Sequence, residues 1–531
     1  MPQFGRFCRI ILILAYSSPF SDGPLGLSFQ RPVEACRTFA SPAVEQVIDD
    51  ITSHMVDKDL AQLFRNSFPN TLDTTVRWHT DGSHRTTSSE RDARKRDGPL
   101  WNGPQTFIVT GDINAEWLRD STNQLAAYQG LAKKDKNLRT LIVGAINTQV
   151  EYVIQSPYCN AFQPPPLSGI PPSDNGQKDT VHPAFEPSFV FECKYELDSL
   201  ANFLSLGTQF YEHTGSTEFV TDRWYAALKT VLNTLMAQSM PTFNDFNQFV
   251  TNQYTFQRVT TAGTETLNLG GVGNPLNQKT GLIRSAFRPS DDATILGFFI
   301  PPNAMMAVQL KKTAEVVKAA GGNNLLVQKL QKQGQDLAKA VWEHGVVKHR
   351  KYGDVFAFEV DGYGSQVLMD DANIPSLLSL PFLGFVSQTD PVYLNTRRMI
   401  LSKDGNPYYL SGQAFRGIGG PHSMCCFLPS YVYMRLTILS TFSWSSKRLA
   451  HVTSRTGIDQ RIGFGDHGIN QSRAQFQSSR PGARVYQRRQ YPSVYSAVVC
   501  MGEFGLFTDY SQSCRDETLF DFWSGCKSVR S

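Results

Sequence analysis

Four short stretches of this 531-residue chain mix carboxylates with Arg, Trp or Asn. The first is Gly111-Asp112-Ile113-Asn114-Ala115-Glu116-Trp117-Leu118-Arg119-Asp120-Ser121, and the second is Phe191-Glu192-Cys193-Lys194-Tyr195-Glu196-Leu197-Asp198-Ser199. The third is Phe287-Arg288-Pro289-Ser290-Asp291-Asp292. The fourth begins at Glu359-Val360-Asp361-Gly362 and continues to Met369-Asp370-Asp371-Ala372-Asn373. Taken singly, each has an ordinary explanation: Asp120-Ser121 and Ser290-Asp291-Asp292 are the residue types that cap helices. Together they supply what hydrolysis of a glycosidic bond requires. One carboxylic acid protonates the leaving oxygen, a second carboxylate activates water, and further carboxylates and Arg grip sugar hydroxyls.

Helices must position these groups. Ser41-Pro42-Ala43-Val44-Glu45 reads as a cap, a proline in the first turn and an acid behind it. Apolar periodicity predicts two helices over 122–154 joined by a turn carrying Lys133, Lys134 and Lys136, and single helices over 195–213 and 221–239. Residues 303–320, Gly321-Gly322 and 325–344 read as a helical hairpin stopped by glycine. The clearest strand is 354–361, where Val355, Ala357 and Glu359 alternate with Phe356, Phe358 and Val360. Residues 80–105 and 164–172 read as surface loops. Successive helix pairs with polar clusters in their connections predict a helical toroid with minor β-hairpins.

Composition removes several alternatives. With 41% hydrophobic and 18% charged residues the chain can build a large core, and a net charge of +4 leaves no basic track for nucleic acid or an anionic membrane. No apolar run reaches the ~18 residues of a membrane helix. Nine cysteines without a CxxC pair do not make a zinc ribbon or a disulfide scaffold. The pairs His79/His84 and His344/His349 miss the spacing that places two ligands on one helix face, so no metal is expected. Gly270-Gly271-Val272-Gly273 lacks a strand-to-helix context and does not imply a nucleotide. No cofactor is expected. Arg6 and Arg9 before the apolar residues 10–16 resemble a short signal peptide within 1–20, which favours a secreted product over a cytoplasmic one.

The four clusters resemble those of the glycoside hydrolase family 125 exo-α-1,6-mannosidases, in a fungal-type form. The resemblance runs over 36–422 and includes Pro69-Asn70-Thr71-Leu72-Asp73-Thr74-Thr75, Asn406-Pro407-Tyr408-Tyr409 and Gly417-Ile418-Gly419-Gly420-Pro421-His422. It implies an (α/α)6 barrel, the six-hairpin glycosidase toroid. It also implies a metal-independent, inverting hydrolase that removes terminal mannose from a mannose-containing glycan. The general acid implied is Asp292 or Asp291, with Asp292 favoured. Arg119, Asp120 and Asp198 would hold the terminal sugar, with Trp117 as a wall and Arg288 beside the acid. Asp371, Asn373 and His422 would border the same subsite.

One part is missing. The family's general base is a Glu in a His-Glu-Ser segment near the C-terminus, yet after Glu359 the only glutamates are Glu503 and Glu517, in unrelated contexts. Composition also changes beyond His422, with eleven Arg against two Lys and fading periodicity. Reading each tail codon one base late explains both. Met501-Gly502 then yields Trp, 447–452 permits Asn-Ala-Trp-Pro-Met-Ser, and 483–486 permits His-Glu-Ser-Ile, all in family order. Ser423-Met424-Cys425 can encode a fungal 5′ splice signal, Leu436-Thr437 a branch point, and Ser443 a terminal AG. Residues 423–443 thus read as translated intron and 444–531 as out-of-frame sequence, expected to be poorly ordered. The chain as written is expected to be an impaired mannosidase or, alternatively, a catalytically dead carbohydrate-binding protein.

Overall fold

Much of the hydrophobic periodicity becomes helix in a computed structural model that describes residues 20–83, 103–111, 113–412 and 416–421. The signal-like stretch before residue 20, His422 and the tail 423–531 lie outside the described residues. The helices are α1 (Pro42–His54), α2 (Lys58–Ser67), α3 (Leu118–Ala126), α4 (Lys136–Gln155), α5 (Leu197–Thr214), α6 (Asp222–Gln238), α7 (Ile300–Ala319), α8 (Asn324–Gly345) and α9 (Pro391–Ile400). Ser41 caps α1, its Oγ accepting the Val44 N–H, and Thr221 caps α6 through the Trp224 N–H. The stop between α7 and α8 is Gly321, whose φ of 73° is open to glycine without strain.

Two kinds of helix result from two sequence patterns. Helices α3, α5 and the first half of α7 are buried around most of their circumference, and α5 packs between α3 and α7. Helices α6 and α8 bury one stripe only; α6 lies on α4, and α8 lies on α7. The heavily buried helices α5 and α7 are thus each followed along the chain by a helix that buries one stripe only.

The strands are short and antiparallel. Strands β1 (Val76–Thr80) and β2 (Gln105–Ile108) form a hairpin-like pair. Strands β3 (Glu116–Trp117), β4 (Ala161–Phe162) and β6 (Val190–Glu192) make a sheet with β4 central. Strand β5 (Asp179–His182) pairs β7 (Thr255–Arg258). Strands β8 (Phe298–Phe299), β11 (Glu359–Val360) and β12 (Gln366–Val367) make a second sheet with β11 central. Strand β9 (Val346–His349) pairs β10 (Gly353–Phe356), and β13 (Tyr409–Ser411) pairs β14 (Arg416–Ile418).

Two expectations need correction. The single strand predicted over 354–361 is split between β10 and β11, which pair with different partners, and both its faces are buried from Val355 to Val360. Its alternation came from residue size and the acid Glu359, not from a solvent face. Asp120-Ser121 and Asp291-Asp292 do not cap helices either. Helix α3 begins after Trp117 with no capping side chain, and no helix starts between Asp292 and Ile300. The 80–105 loop is described only at its ends, and Gln105 is already buried in β2.

Candidate active site

The β3-β4-β6 sheet delivers three segments to one place. Trp117 on β3 pairs with Ala161 on β4, which pairs in turn with Glu192 on β6. Directly beyond these residues lie Arg119 and Asp120 in the first turn of α3, Asn160 ahead of β4, and the extended run 193–196 that leads into α5. Asp198 sits in the first turn of α5. Two helix N-termini thus meet at a group of carboxylates, where their dipoles favour negative charge.

Arg119 is the hub of this group. Its guanidinium is about fully buried; Nη1 donates to Asp198 Oδ2 at 3.1 Å and to Glu196 Oε2, and Nε lies 3.3 Å from Asp120 Oδ1. Burial pulls the guanidinium down, but Glu196, Asp120 and Asp198 outweigh it and keep it charged. Burial acts oppositely on the acids. It pushes Asp120 well above the aspartate range and Glu196 up to about 7, against the pull of Arg119. Burial also raises Asp198.

The turn 288–292 closes the group from the other side. The Arg288 N–H donates to the Asp292 carbonyl at 2.8 Å and the Asp291 N–H to the Arg288 carbonyl at 2.9 Å. This tight closure requires Asp291 to adopt φ 63°, a conformation that Asp tolerates better than most residues. The two acids face different neighbours as a result. Asp291 Oδ1 lies 3.6 Å from Lys194 Nζ and accepts from Asn160 Nδ2 at 3.5 Å. Asp292 Oδ2 accepts from Ser290 Oγ at 3.1 Å. Burial raises Asp291 well above the aspartate range, with Lys194 opposing it.

A second group surrounds Asp292. Arg288 Nε donates to Glu359 Oε1 at 2.6 Å, while Glu359 Oε2 accepts the Ile295 and Leu296 N–H groups at 2.9 Å each. Asp371 accepts from the backbone N–H and Nδ2 of Asn373 at 3.0 and 2.8 Å, and burial raises it, with Asp292 adding to the effect. A Cβ placed on Gly420 would stand 3.1 Å from Asp371 Oδ2, so the segment 417–421 closes directly over this acid.

Several buried polar atoms at these groups have no hydrogen-bond partner among the described residues. They are Arg119 Nη2, Asp120 Oδ2, Asp198 Oδ1, Asp291 Oδ2, Asp371 Oδ2, Arg288 Nη2 and Trp117 Nε1. Orphaned groups of this kind are rare in folded interiors because each costs about 1–3 kcal/mol. Donors and acceptors interleaved around one site suit a ligand that is itself a ring of hydroxyls. Trp117 is 2% exposed, edge-on to Phe191 with ring centroids 5.5 Å apart.

The family model of the metal-independent alpha-mannosidase (GH125) matches residues 57–433. The chain belongs to that family. It is 53% identical over 403 residues to the meiotically up-regulated gene 157 protein of Schizosaccharomyces pombe, covering 76% of this chain and 75% of that one. A Streptococcus pneumoniae metal-independent α-mannosidase, solved in a non-productive substrate complex with α-1,6-mannobiose, is 30% identical. It superposes with a TM-score of 0.64 over 76% of this chain and 87% of its own. The fungal-type resemblance of the family clusters accords with the yeast relative.

Of the residues that the sequence singled out, Arg119, Asp120, Asp198 and Asp291 share one group, and Arg288, Asp292, Asp371 and Asn373 share the second. Trp117 stands beside the first. His422 lies outside the described residues, one position beyond the segment that covers Asp371. Glu196, Lys194 and Asn160 were not chosen. For the first two a signal existed: Lys194 and Glu196 are two residues apart in the second cluster, which places them on one face of an extended run. Asn160 sits in a featureless stretch and gave none.

Proposed function

We propose that this fold is an exo-acting glycosidase that removes terminal α-1,6-linked mannose with inversion, using the two groups as one subsite. The observation that carries this reading is the ring of unpartnered buried donors and acceptors around Arg119, Asp120, Asp198 and Asp291. A non-reducing-end sugar satisfies such a ring hydroxyl by hydroxyl, and bidentate carboxylate contacts distinguish an axial from an equatorial hydroxyl. The α-1,6-mannobiose bound by the streptococcal relative supports the linkage. The succession of a buried helix and a half-exposed one at α5/α6 and α7/α8 supports the (α/α)6 toroid, which would set the subsite at the mouth formed by the N-termini of α3 and α5.

The acid is assigned to the 288–292 turn. Although the sequence favours Asp292, the geometry supports Asp291, whose carboxyl Lys194 and Asn160 hold toward the Arg119 group. Its proton passes to the leaving oxygen, and water attacks the opposite face of the ring. Inversion requires about 6.5–9.5 Å between acid and base, so that water fits between them. No glutamate between Glu359 and His422 can serve as the base. This favours a second reading for the chain as written, mannose binding without turnover; if 423–443 is a translated intron, its removal would restore the base. The buried Cys159–Cys193 disulfide supports folding in an oxidising, secretory compartment.

The test is sequencing of the mature transcript across the codons for 412–450, followed by proton NMR of α-1,6-mannobiose with both protein forms. The spliced form is expected to release β-mannose first. Release of α-mannose first, or binding by neither form, overturns the assignment.

A further inference from the structure

Cys159 and Cys193, 34 residues apart, form a disulfide at the end of the β4–β6 pair, and both are buried. The residue after each cysteine touches the same carboxyl. Asn160 Nδ2 donates to Asp291 Oδ1 at 3.5 Å, and Lys194 Nζ lies 3.6 Å from that oxygen. The two residues are also joined to each other, the Lys194 N–H donating to Asn160 Oδ1 at 3.0 Å. Asn160 reaches further: its Nδ2 lies 3.3 Å from Glu196 Oε1, and its carbonyl accepts the Leu118 N–H at 3.1 Å, at the start of the helix bearing Arg119 and Asp120. Asn160 is fully buried, Lys194 is 3% exposed, and Glu192 holds the Lys194 ammonium from behind at 3.1 Å. The Cys193 carbonyl is itself fixed by the Tyr254 hydroxyl at 3.0 Å.

We propose that the Cys159–Cys193 disulfide, with Asn160 and Lys194, is a positioning device that sets the Asp291 carboxyl against the sugar subsite. This rests on the reading of the 288–292 turn as the source of the acid. Its physical basis is economical. The turn is closed by its own backbone hydrogen bonds and by one bridge between Phe287 and Ala293, but these hold the backbone; the Asp291 side chain is aimed by what it touches. Those contacts come from two segments far apart in sequence. A covalent link one residue before each contact keeps the two segments in register, and Asn160 carries that register to the first turn of α3. Asn160 and Lys194 are positioning residues: they act through Asp291.

The groups facing Asp291 are Lys194 and Glu192 from the β6 end, Glu196 and Asp198 at the start of α5, and Arg119 and Asp120 on α3. Lys194 is the cation nearest to it among the described contacts, so its removal frees the surrounding acids to favour the protonated form.

The experiment uses the full chain and three versions: the parent, C159A/C193A and K194M. Non-reducing peptide mapping of the parent should link the Cys159 and Cys193 peptides. Hydrogen exchange then reads the Leu118 and Lys194 amides, both of which donate to Asn160. In C159A/C193A these amides should exchange faster, by about tenfold or more, as local opening becomes easier. Affinity for α-1,6-mannobiose should fall about tenfold, the effect of one weakened charge-assisted contact. In K194M, which keeps the disulfide, the pH midpoint of mannobiose binding should move upward, a change that loosened packing alone does not produce. Free thiols at Cys159 and Cys193 in the parent, or unchanged exchange in C159A/C193A with an unchanged midpoint in K194M, overturns the device. Should the parent fail to bind mannobiose, the proposed function falls, and the exchange data still decide the positioning device by themselves.

Discussion

Asp291 and Asp292 are neighbours in the chain, yet each belongs to a different polar group. Asp291 faces Lys194 and Asn160 across to the Arg119 cluster, and Asp292 accepts from Ser290 beside Arg288 and Asp371. The positive φ at Asp291 separates them. One of the pair can therefore supply a proton while the other holds substrate or water.

This division predicts different leaving-group behaviour in a form of the protein that carries the proposed base. D291N should lower turnover of mannobiose by about 100-fold or more. It should lose far less with α-mannosyl fluoride, whose leaving group needs little protonation. D292N should impair both substrates alike. Steady-state kinetics on the two substrates decides the matter, and the reverse pattern would assign the acid to Asp292.

Arg119 compensates several buried acids at once. R119M leaves Glu196, Asp120 and Asp198 without their shared cation and should destabilise the protein by about 3–5 kcal/mol. Mannobiose binding should disappear with it. Urea denaturation and calorimetric titration test the two effects separately. R119K should not restore binding, because an ammonium cannot reproduce a fork that reaches two helices.

Stability should fall from acidic to mildly basic pH. Burial raises Glu116 from 4.5 to about 8, with only the Ile108 N–H and Ser121 favouring its charged form. Asp370 rises from 3.8 to about 8 despite the Leu377 and Leu378 N–H groups. Below the unfolded pKa values both states hold these protons. Between those values and about 8 only the folded state does, so each group removes about 1.4 kcal/mol of stability per pH unit across that window. E116Q should accordingly gain stability over the parent at pH 8 and match it near pH 4. Urea midpoints at the two pH values give the answer, and parallel curves for E116Q and the parent would exclude Glu116 as a source of the slope.

If the chain as written keeps its acid and lacks its base, as proposed, it should respond to azide. Azide needs no deprotonation, so it can attack the anomeric carbon where water cannot, breaking the bond to the leaving oxygen, which takes its proton from the acid. The chain as written should then form β-mannosyl azide from α-mannosyl substrates while hydrolysing them slowly. Mass spectrometry of the products measures this, and azide without effect would show that more than the base is missing.

Local patterns were legible in the sequence wherever neighbours along the chain decided the outcome. The caps at Ser41 and Thr221, the glycine stop at Gly321 and the helices around them follow from short-range hydrogen bonds and apolar periodicity. The carboxylate clusters, too, could be found by residue type, and with them the glycosidase chemistry and the family. Three things belonged to the tertiary structure alone. Asn160 joins Glu196, Asp291, Lys194 and the start of α3 through contacts separated by 34 to 131 residues, which no local pattern records. Glu359 lies on a strand as alternation indicated, but only the tertiary structure makes it the buried partner of Arg288. Asp291 and Asp292, equivalent as letters, differ because one backbone angle sends their side chains to opposite neighbours. Residue types set which chemistry was available. Burial and long-range contact decided which groups keep their protons and where they are aimed, because desolvation and charge pairing depend on what the folded chain brings within a few ångströms.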